Sequence, residues 1–134
     1  MIKIYLSKSN ITSRKVKDWL TAQGLEFEEI DWHKYGMTRS DFYKILSLTE
    51  NGTEEIISQR SHIYPDFYKA LPALTLADVF SWVCSHRSLL RLPLILDERR
   101  LLVGYSSDQI RIFLTRQTRE VEMKKLKSLV NKEL

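Results

Sequence analysis

Ile2, Ile4, Tyr5 and Leu6, interrupted only by Lys3, open the chain as a β-branched and aromatic cluster that predicts a strand over residues 2–6. A polar stretch follows, and the spacing of apolar positions then changes. Val16, Trp19, Leu20 and Gln23 fall on one helical face, with Thr12 or Ser13 as the cap and Gly24 as the stop. Leu25, Phe27 and Ile30 then alternate with Glu26, Glu28 and Glu29 over most of a second strand that ends at Asp31. Strand, helix and strand at this spacing predict a parallel β-α-β unit with a right-handed crossover.

From about residue 34 to 86 the period is helical. Thr38 or Ser40 caps a helix carrying Phe42, Ile45, Leu46 and Leu48, which Asn51-Gly52 breaks. Thr53 starts a short helix with Ile56 and Ile57, and Glu54 and Glu55 sit in its first turn, where the helix dipole favours them. Thr75-x-x-Asp78 resembles a capping box ahead of Leu76, Val79, Phe80 and Val83. The last third returns to strands. Residues 92–96 and 101–105 form an antiparallel hairpin around the turn 97–100, and Ser106 or Ser107 caps a helix carrying Ile110, Phe113 and Leu114. The order β-α-β, helices, β-β-α predicts an α/β thioredoxin-like fold, a mixed four-stranded sheet with flanking helices and a helical insertion. The expected division is one domain, with core about 1–33 and 90–115, insertion about 34–89 and a basic tail about 116–134.

Composition narrows the classes. With 134 residues, 43% hydrophobic and 28% charged, the chain is long enough for one sizeable core and too apolar for disorder. No run reaches the roughly 18 apolar residues of a membrane helix, and the N-terminus lacks a signal-peptide pattern, so the expected compartment is the cytoplasm. One cysteine, Cys84, excludes an intrachain disulfide and a cysteine-rich zinc site, and His33, His62 and His86 follow no ligand spacing. Neither metal nor cofactor is expected. The net charge of +4 is local: residues 111–134 hold seven Lys/Arg and three Asp/Glu, and the rest of the chain balances. Such a segment suits either contact with nucleic acid or an acidic partner, or simple solvation.

Candidate chemistry centres on the loop between the first strand and helix, Ser7 to Lys15. A helix N-terminus offers free N–H groups to a thiolate or an anion. A thioredoxin-like redox protein carries Cys-x-x-Cys here, and this chain carries Asn10-Ile11-Thr12-Ser13. Asn10, Thr12 and Ser13 read either as an anion nest or as ordinary capping. Ser13 lacks the adjacent base that a nucleophilic serine needs. Cys84 falls mid-helix and reads as an inert buried thiol. Arg60, Arg87 and Arg91 can gather around an anion, and each alone also reads as a surface or ion-paired residue. Gly52, in Thr49-Glu50-Asn51-Gly52-Thr53-Glu54-Glu55, marks a helix–turn–helix corner where glycine allows a positive φ and lets a partner approach closely.

The stretch from Ile45 to Ser61, with Leu89-Leu90-Arg91-Leu92-Pro93-Leu94-Ile95-Leu96-Asp97, Leu101-Leu102-Val103-Gly104-Tyr105, Ile4-Tyr5 and Arg14-Lys15, resembles Spx-type regulators of the arsenate reductase (ArsC) family, from residue 1 to about 115. The resemblance implies a thioredoxin-like domain and a transcription regulator that binds the C-terminal domain of the RNA polymerase α subunit in stress-response transcription. It implies contact with promoter DNA only within that complex, no membrane association, and a monomer when free. The family's partner-contacting glycine falls on Gly52, flanked by Glu50 and Asn51. Its Cys-x-x-Cys redox switch falls on Asn10 and Ser13, so both thiols are missing. A reductase would need a cysteine at Asn10 and an arginine at Leu92; Arg60 and Arg91 remain as candidate anion-binding residues. The resemblance therefore implies a binding protein without catalysis. The alternatives are a divergent arsenate reductase or thiol-transfer enzyme, and an inactive paralog competing with a redox-active Spx.

Overall fold

The computed structural model of the protein describes residues 1–114. The basic segment expected over about 116–134 lies outside the described residues. Strand β1 (Ile2–Leu6) is central, and helix α1 (Ile11–Ala22) carries the chain over to β2 (Phe27–Asp31). β1 pairs with β2 in parallel, from Ile2 opposite Phe27 to Leu6 opposite Asp31. β3 (Leu94–Leu96) adds antiparallel to the other side of β1, and β4 (Leu101–Val103) adds antiparallel to β3. The sheet is therefore mixed and four-stranded, in the order β2-β1-β3-β4.

Successive side chains of a strand point to opposite faces, so β1 feeds two cores. Ile2, Ile4 and Leu6, together with Ile95 and Leu102, pack against Val16 and Leu20 of α1 and against Ile110 and Phe113. Tyr5, Leu94 and Leu96 face the other way and meet the helical insertion. That insertion holds α2 (Trp32–Tyr35), α3 (Arg39–Ser47), a 3-10 turn at Gly52–Glu55, α4 (Tyr64–Ala70) and α5 (Leu76–Ser85). Trp32, Phe42, Ile45, Phe67, Val79 and Val83 form its buried face. Thr75 and Asp78 make the expected capping box on α5: Asp78 N–H donates to Thr75 Oγ1 at 3.2 Å, and Thr75 N–H donates to Asp78 Oδ2 at 2.9 Å.

Several element ends differ from the sequence expectation, each for a local reason. α1 begins at Ile11, and its cap is Asn10 rather than Thr12 or Ser13. Asn10 is extended, so its Oδ1 can turn back to accept from Thr12 N–H at 2.8 Å and Ser13 N–H at 3.3 Å. The short helix expected from Thr53 is a single 3-10 turn; Ile57 leaves it to form an isolated antiparallel bridge with Leu90. β3 starts at Leu94, not Leu92, because Pro93 has no N–H for the ladder. β4 stops at Val103 because Gly104 turns the chain at φ 78°. Within the described residues, the helix expected after Ser106 is the 3-10 segment Gln109–Phe113. No helix of the described residues is long and apolar enough to cross a membrane.

Candidate functional site

A polar cleft of about 910 Å³ opens between the N-terminus of α1, the 56–60 segment and the stretch leading into β3. Two chain segments bring its walls together. Ser58 N–H donates to Leu89 O at 2.6 Å and Arg91 N–H donates to Ile56 O at 2.8 Å, so the bridge between Ile57 and Leu90 clamps the insertion to the approach to β3. This clamp gathers Arg60, Arg87 and Arg91 on one cleft together with Asn10 and His33. The sequence reading named the three arginines as able to gather around an anion and named Asn10 apart from them, and it assigned His33 no place there.

The arginines differ in freedom. Arg87 is fixed: its guanidinium donates to the carbonyls of Trp32 and, at 3.3 Å, Cys84, and it lies 4.8 Å from the centre of the Trp32 ring. The Trp32 indole N–H returns a bond to Arg87 O at 2.9 Å. Gly36 makes room for this arrangement, because a Cβ there would stand 2.9 Å from the guanidinium nitrogens. Arg91 is exposed and donates from Nη1 to Glu55 O at 3.2 Å. Arg60 is exposed and makes no hydrogen bond or ion pair among the described residues. Among the described residues, Glu54 is the single carboxylate on the cleft wall.

At the helix N-terminus, the N–H groups of Thr12 and Ser13 are already taken by Asn10 Oδ1. Ser13 is buried inside the first turn, and its hydroxyl has no partner among the described residues. The cleft lining contains no thiol. Cys84 lies on α5, half-buried, and burial pushes its thiol up, an effect that the nearby Arg87 charge only partly offsets. A thiol with a raised pKa is a poor nucleophile at neutral pH. No group of three or more His, Cys, Asp or Glu among the described residues is placed to hold a metal ion.

The Gly52 corner stands beside this cleft. Gly52 has φ 79°, and the space where a Cβ would project is open to 4 Å. The turn is held from behind. The Glu55 carboxylate accepts from Glu50 N–H at 3.0 Å and Asn51 N–H at 2.9 Å, and Thr49 Oγ1 accepts from Gly52 N–H at 3.1 Å. Glu50, Asn51 and Gly52 thus present one rigid backbone corner, and the Glu50 and Asn51 side chains are exposed.

The sheet order, the inserted helices and the cleft over the α1 N-terminus define a thioredoxin-like domain. The pattern of the ArsC family matches residues 5–113, and the chain belongs to that family. Three of its relatives are named as Spx regulators. The chain is 38% identical, over 98% of its length and 99% of theirs, to the global transcriptional regulator Spx of Lactiplantibacillus plantarum. It is 36% identical to Spx 1 of Bacillus cereus, over 98% of this chain and all of that one. It is also 36% identical to Spx of Streptococcus pyogenes serotype M3, over 92% of each. Among solved structures, a Staphylococcus aureus protein determined in solution superposes with a TM-score of 0.72 at 24% identity, covering 84% of this chain and 97% of that one. An arsenate reductase from Vibrio cholerae gives 0.69 at 18% identity, with the same two coverages. These two likenesses describe the fold.

Proposed function

We propose that this protein is a transcription regulator that acts by binding the C-terminal domain of the RNA polymerase α subunit, with the Glu50-Asn51-Gly52 corner as the contact. The observation that carries the reading is the corner itself: a positive-φ glycine with open space above it, on a turn stiffened by Glu55 and Thr49. A rigid turn loses little conformational freedom on docking, and a missing side chain lets a partner backbone approach closely. The Spx names of the relatives support the same reading. Titration with the purified α C-terminal domain should give measurable binding. Gly52→Arg should weaken it tenfold or more, since a long charged side chain on a positive-φ backbone fills the contact (about 1.4 kcal/mol per tenfold). Equal binding by wild type and Gly52→Arg would remove the corner from the interface.

The reading excludes catalysis by the route that thiol enzymes use. A reductase needs a nucleophilic thiolate, the cleft lining has none, and the thiol of Cys84 is shifted away from its reactive form. A glutathione- or thioredoxin-coupled arsenate assay should stay at background; turnover lost in Cys84→Ser would revive an enzyme. Asn10 and Ser13 in place of two thiols also favour a second reading, in which the protein occupies polymerase without a redox switch and so competes with a switchable Spx. Transcription from a thiol-stress promoter with both proteins present separates activator from competitor. Promoter DNA is a partner only inside the polymerase complex on this reading, and salt should therefore weaken a DNA-containing complex more than the bare protein pair.

A further inference from the structure

We propose that the outer edge of β2 is a docking edge for an extended basic segment of a partner protein, which joins the sheet as a fifth strand. The first ground is backbone chemistry. β2 stands at the end of the sheet, and the one ladder it makes is with β1. An edge strand presents a row of unpaired N–H and C=O groups along its open side. Beyond the ladder with β1, the backbone of Phe27–Ile30 makes no hydrogen bond among the described residues. The five residues of β2 offer an incoming chain about 17 Å of template.

The second ground is charge. Residues 18–31 hold five carboxylates and no Lys or Arg, and four of the five, Glu26, Glu28, Glu29 and Asp31, fall on or beside β2. Glu26, Glu28 and Glu29 are exposed. Two cations face this edge from neighbouring elements. Lys17 of α1 meets Glu29 at 2.9 Å, and Lys3 of β1 lies opposite Glu28 in the ladder without closing an ion pair. Among the described residues, Glu26, Glu28 and Asp31 are thus left without an ion pair. On facing strands opposite charges attract and like charges repel. The edge therefore selects Lys or Arg at alternate positions and rejects a second copy's β2, which would set carboxylate against carboxylate. An acidic edge that served only to block aggregation would do the second of these and not the first. Phe27 and Ile30 are half-buried and pack into the two different cores, so apolar surface is offered on both faces of the strand. In this mode of recognition main-chain bonds give affinity and alternate side chains give selectivity.

No residue of the Gly52 corner takes part, so the docking edge stands or falls apart from the α-domain contact. Full-length protein is titrated with three capped heptapeptides. One alternates Lys and Val, the second has Glu for Lys, and the third is the lysine peptide N-methylated at every residue, which keeps the charge and has no backbone donor. The lysine peptide should bind saturably, and the other two at least tenfold more weakly. Glu26→Gln with Glu28→Gln should weaken the lysine peptide about fivefold, the worth of two cross-strand charge pairs. Both side chains are exposed, and circular dichroism checks the fold of the variant. Amide hydrogen exchange places the peptide: saturation should slow exchange within Phe27–Asp31 and leave Leu101–Val103, at the opposite edge, unchanged. Equal binding of the lysine and glutamate peptides, equal binding of the N-methylated copy, or unchanged exchange at β2 overturns the docking edge. Self-association of the protein that slows exchange at β2, and that Arg99→Glu with Arg100→Glu removes, would make a second copy's β4 the occupant and overturn the foreign segment.

Discussion

Tyr5 is the most perturbed titrating side chain among the described residues. It is 1% exposed, and burial, then the Asp41 carboxylate with Oδ2 at 3.5 Å from the phenol, pushes its pKa up to about 12. The native state thus holds this proton more tightly than the unfolded chain, where tyrosine titrates near 10. The stability that Tyr5 confers is complete below about pH 10 and is lost as pH rises through about 12. Urea unfolding at pH 9 and at pH 12 should show wild type losing on the order of 2 kcal/mol more than Tyr5→Phe. Parallel losses would exclude Tyr5 as the source. Glycines give a second residue-scale test. Gly24 and Gly36 have nearly the same φ, 68° and 65°, yet only Gly36 faces an obstacle, the Arg87 guanidinium. Gly24→Ala should cost about 1 kcal/mol for the left-handed backbone alone. Gly36→Ala should cost about 1–3 kcal/mol more, for the overlap and for a ψ of −151° that places its backbone in a region essentially only glycine adopts. Equal midpoints for the two variants would mean that Arg87 moves aside freely and that the backbone shifts to accept a Cβ.

At the scale of elements, α1 shows what pattern reading captures and what it misses. Its buried face follows from Val16, Leu20 and their spacing, and the sequence places it correctly. Its start does not, because Asn10, Thr12 and Ser13 are all good caps, and the choice is set by which residue the end of β1 leaves in extended conformation. Asn10→Ala should cost about 1 kcal/mol by urea midpoint, and Asn10→Asp should be neutral or better, since the first turn of α1 has no acidic residue to offset the dipole. A loss with Asp equal to that with Ala would assign the capping to another group. The hairpin shows the same division. Leu94 to Leu96 and Leu101 to Val103 carry a plain apolar pattern, and the ends are trimmed by Pro93 and Gly104 through N–H loss and positive φ. The cleft was legible only in parts. Arg60, Arg87 and Arg91 stand out as cations, but the bridge between Ile57 and Leu90 that assembles them joins residues 33 apart in sequence. His33 gave no signal, because its spacing matches no ligand pattern; its place follows from the helical turn at Trp32–Tyr35, which begins earlier than the apolar period suggests.

The whole molecule poses the question whether core and insertion are two units or one. Topologically the insertion interrupts the sheet between β2 and β3, yet its buried residues do not form a separate core. Tyr5, Leu94 and Leu96 of the sheet pack in one cluster with Phe42, Phe67 and Val83 of the insertion. The Phe42 ring also lies 5.3 Å from that of Phe80 on α5, which ties two inserted helices at the point where they meet the strands. Removing the insertion would expose one entire face of the sheet, and a sheet bare on one side cannot support this fold. The two parts should therefore unfold together. Three tryptophans allow the test: Trp19 packs on the α1 side of the sheet, and Trp32 and Trp82 pack in the insertion. Fluorescence of a variant retaining only Trp19 and of one retaining only Trp82 should report the same urea midpoint, each matching its own far-ultraviolet dichroism. Phe42→Ala should lower both midpoints together, by about 3–5 kcal/mol of stability, as expected for a buried aromatic at a shared core. If Phe42→Ala moved the Trp82 transition and left that of Trp19 in place, the insertion would be a separate folding unit.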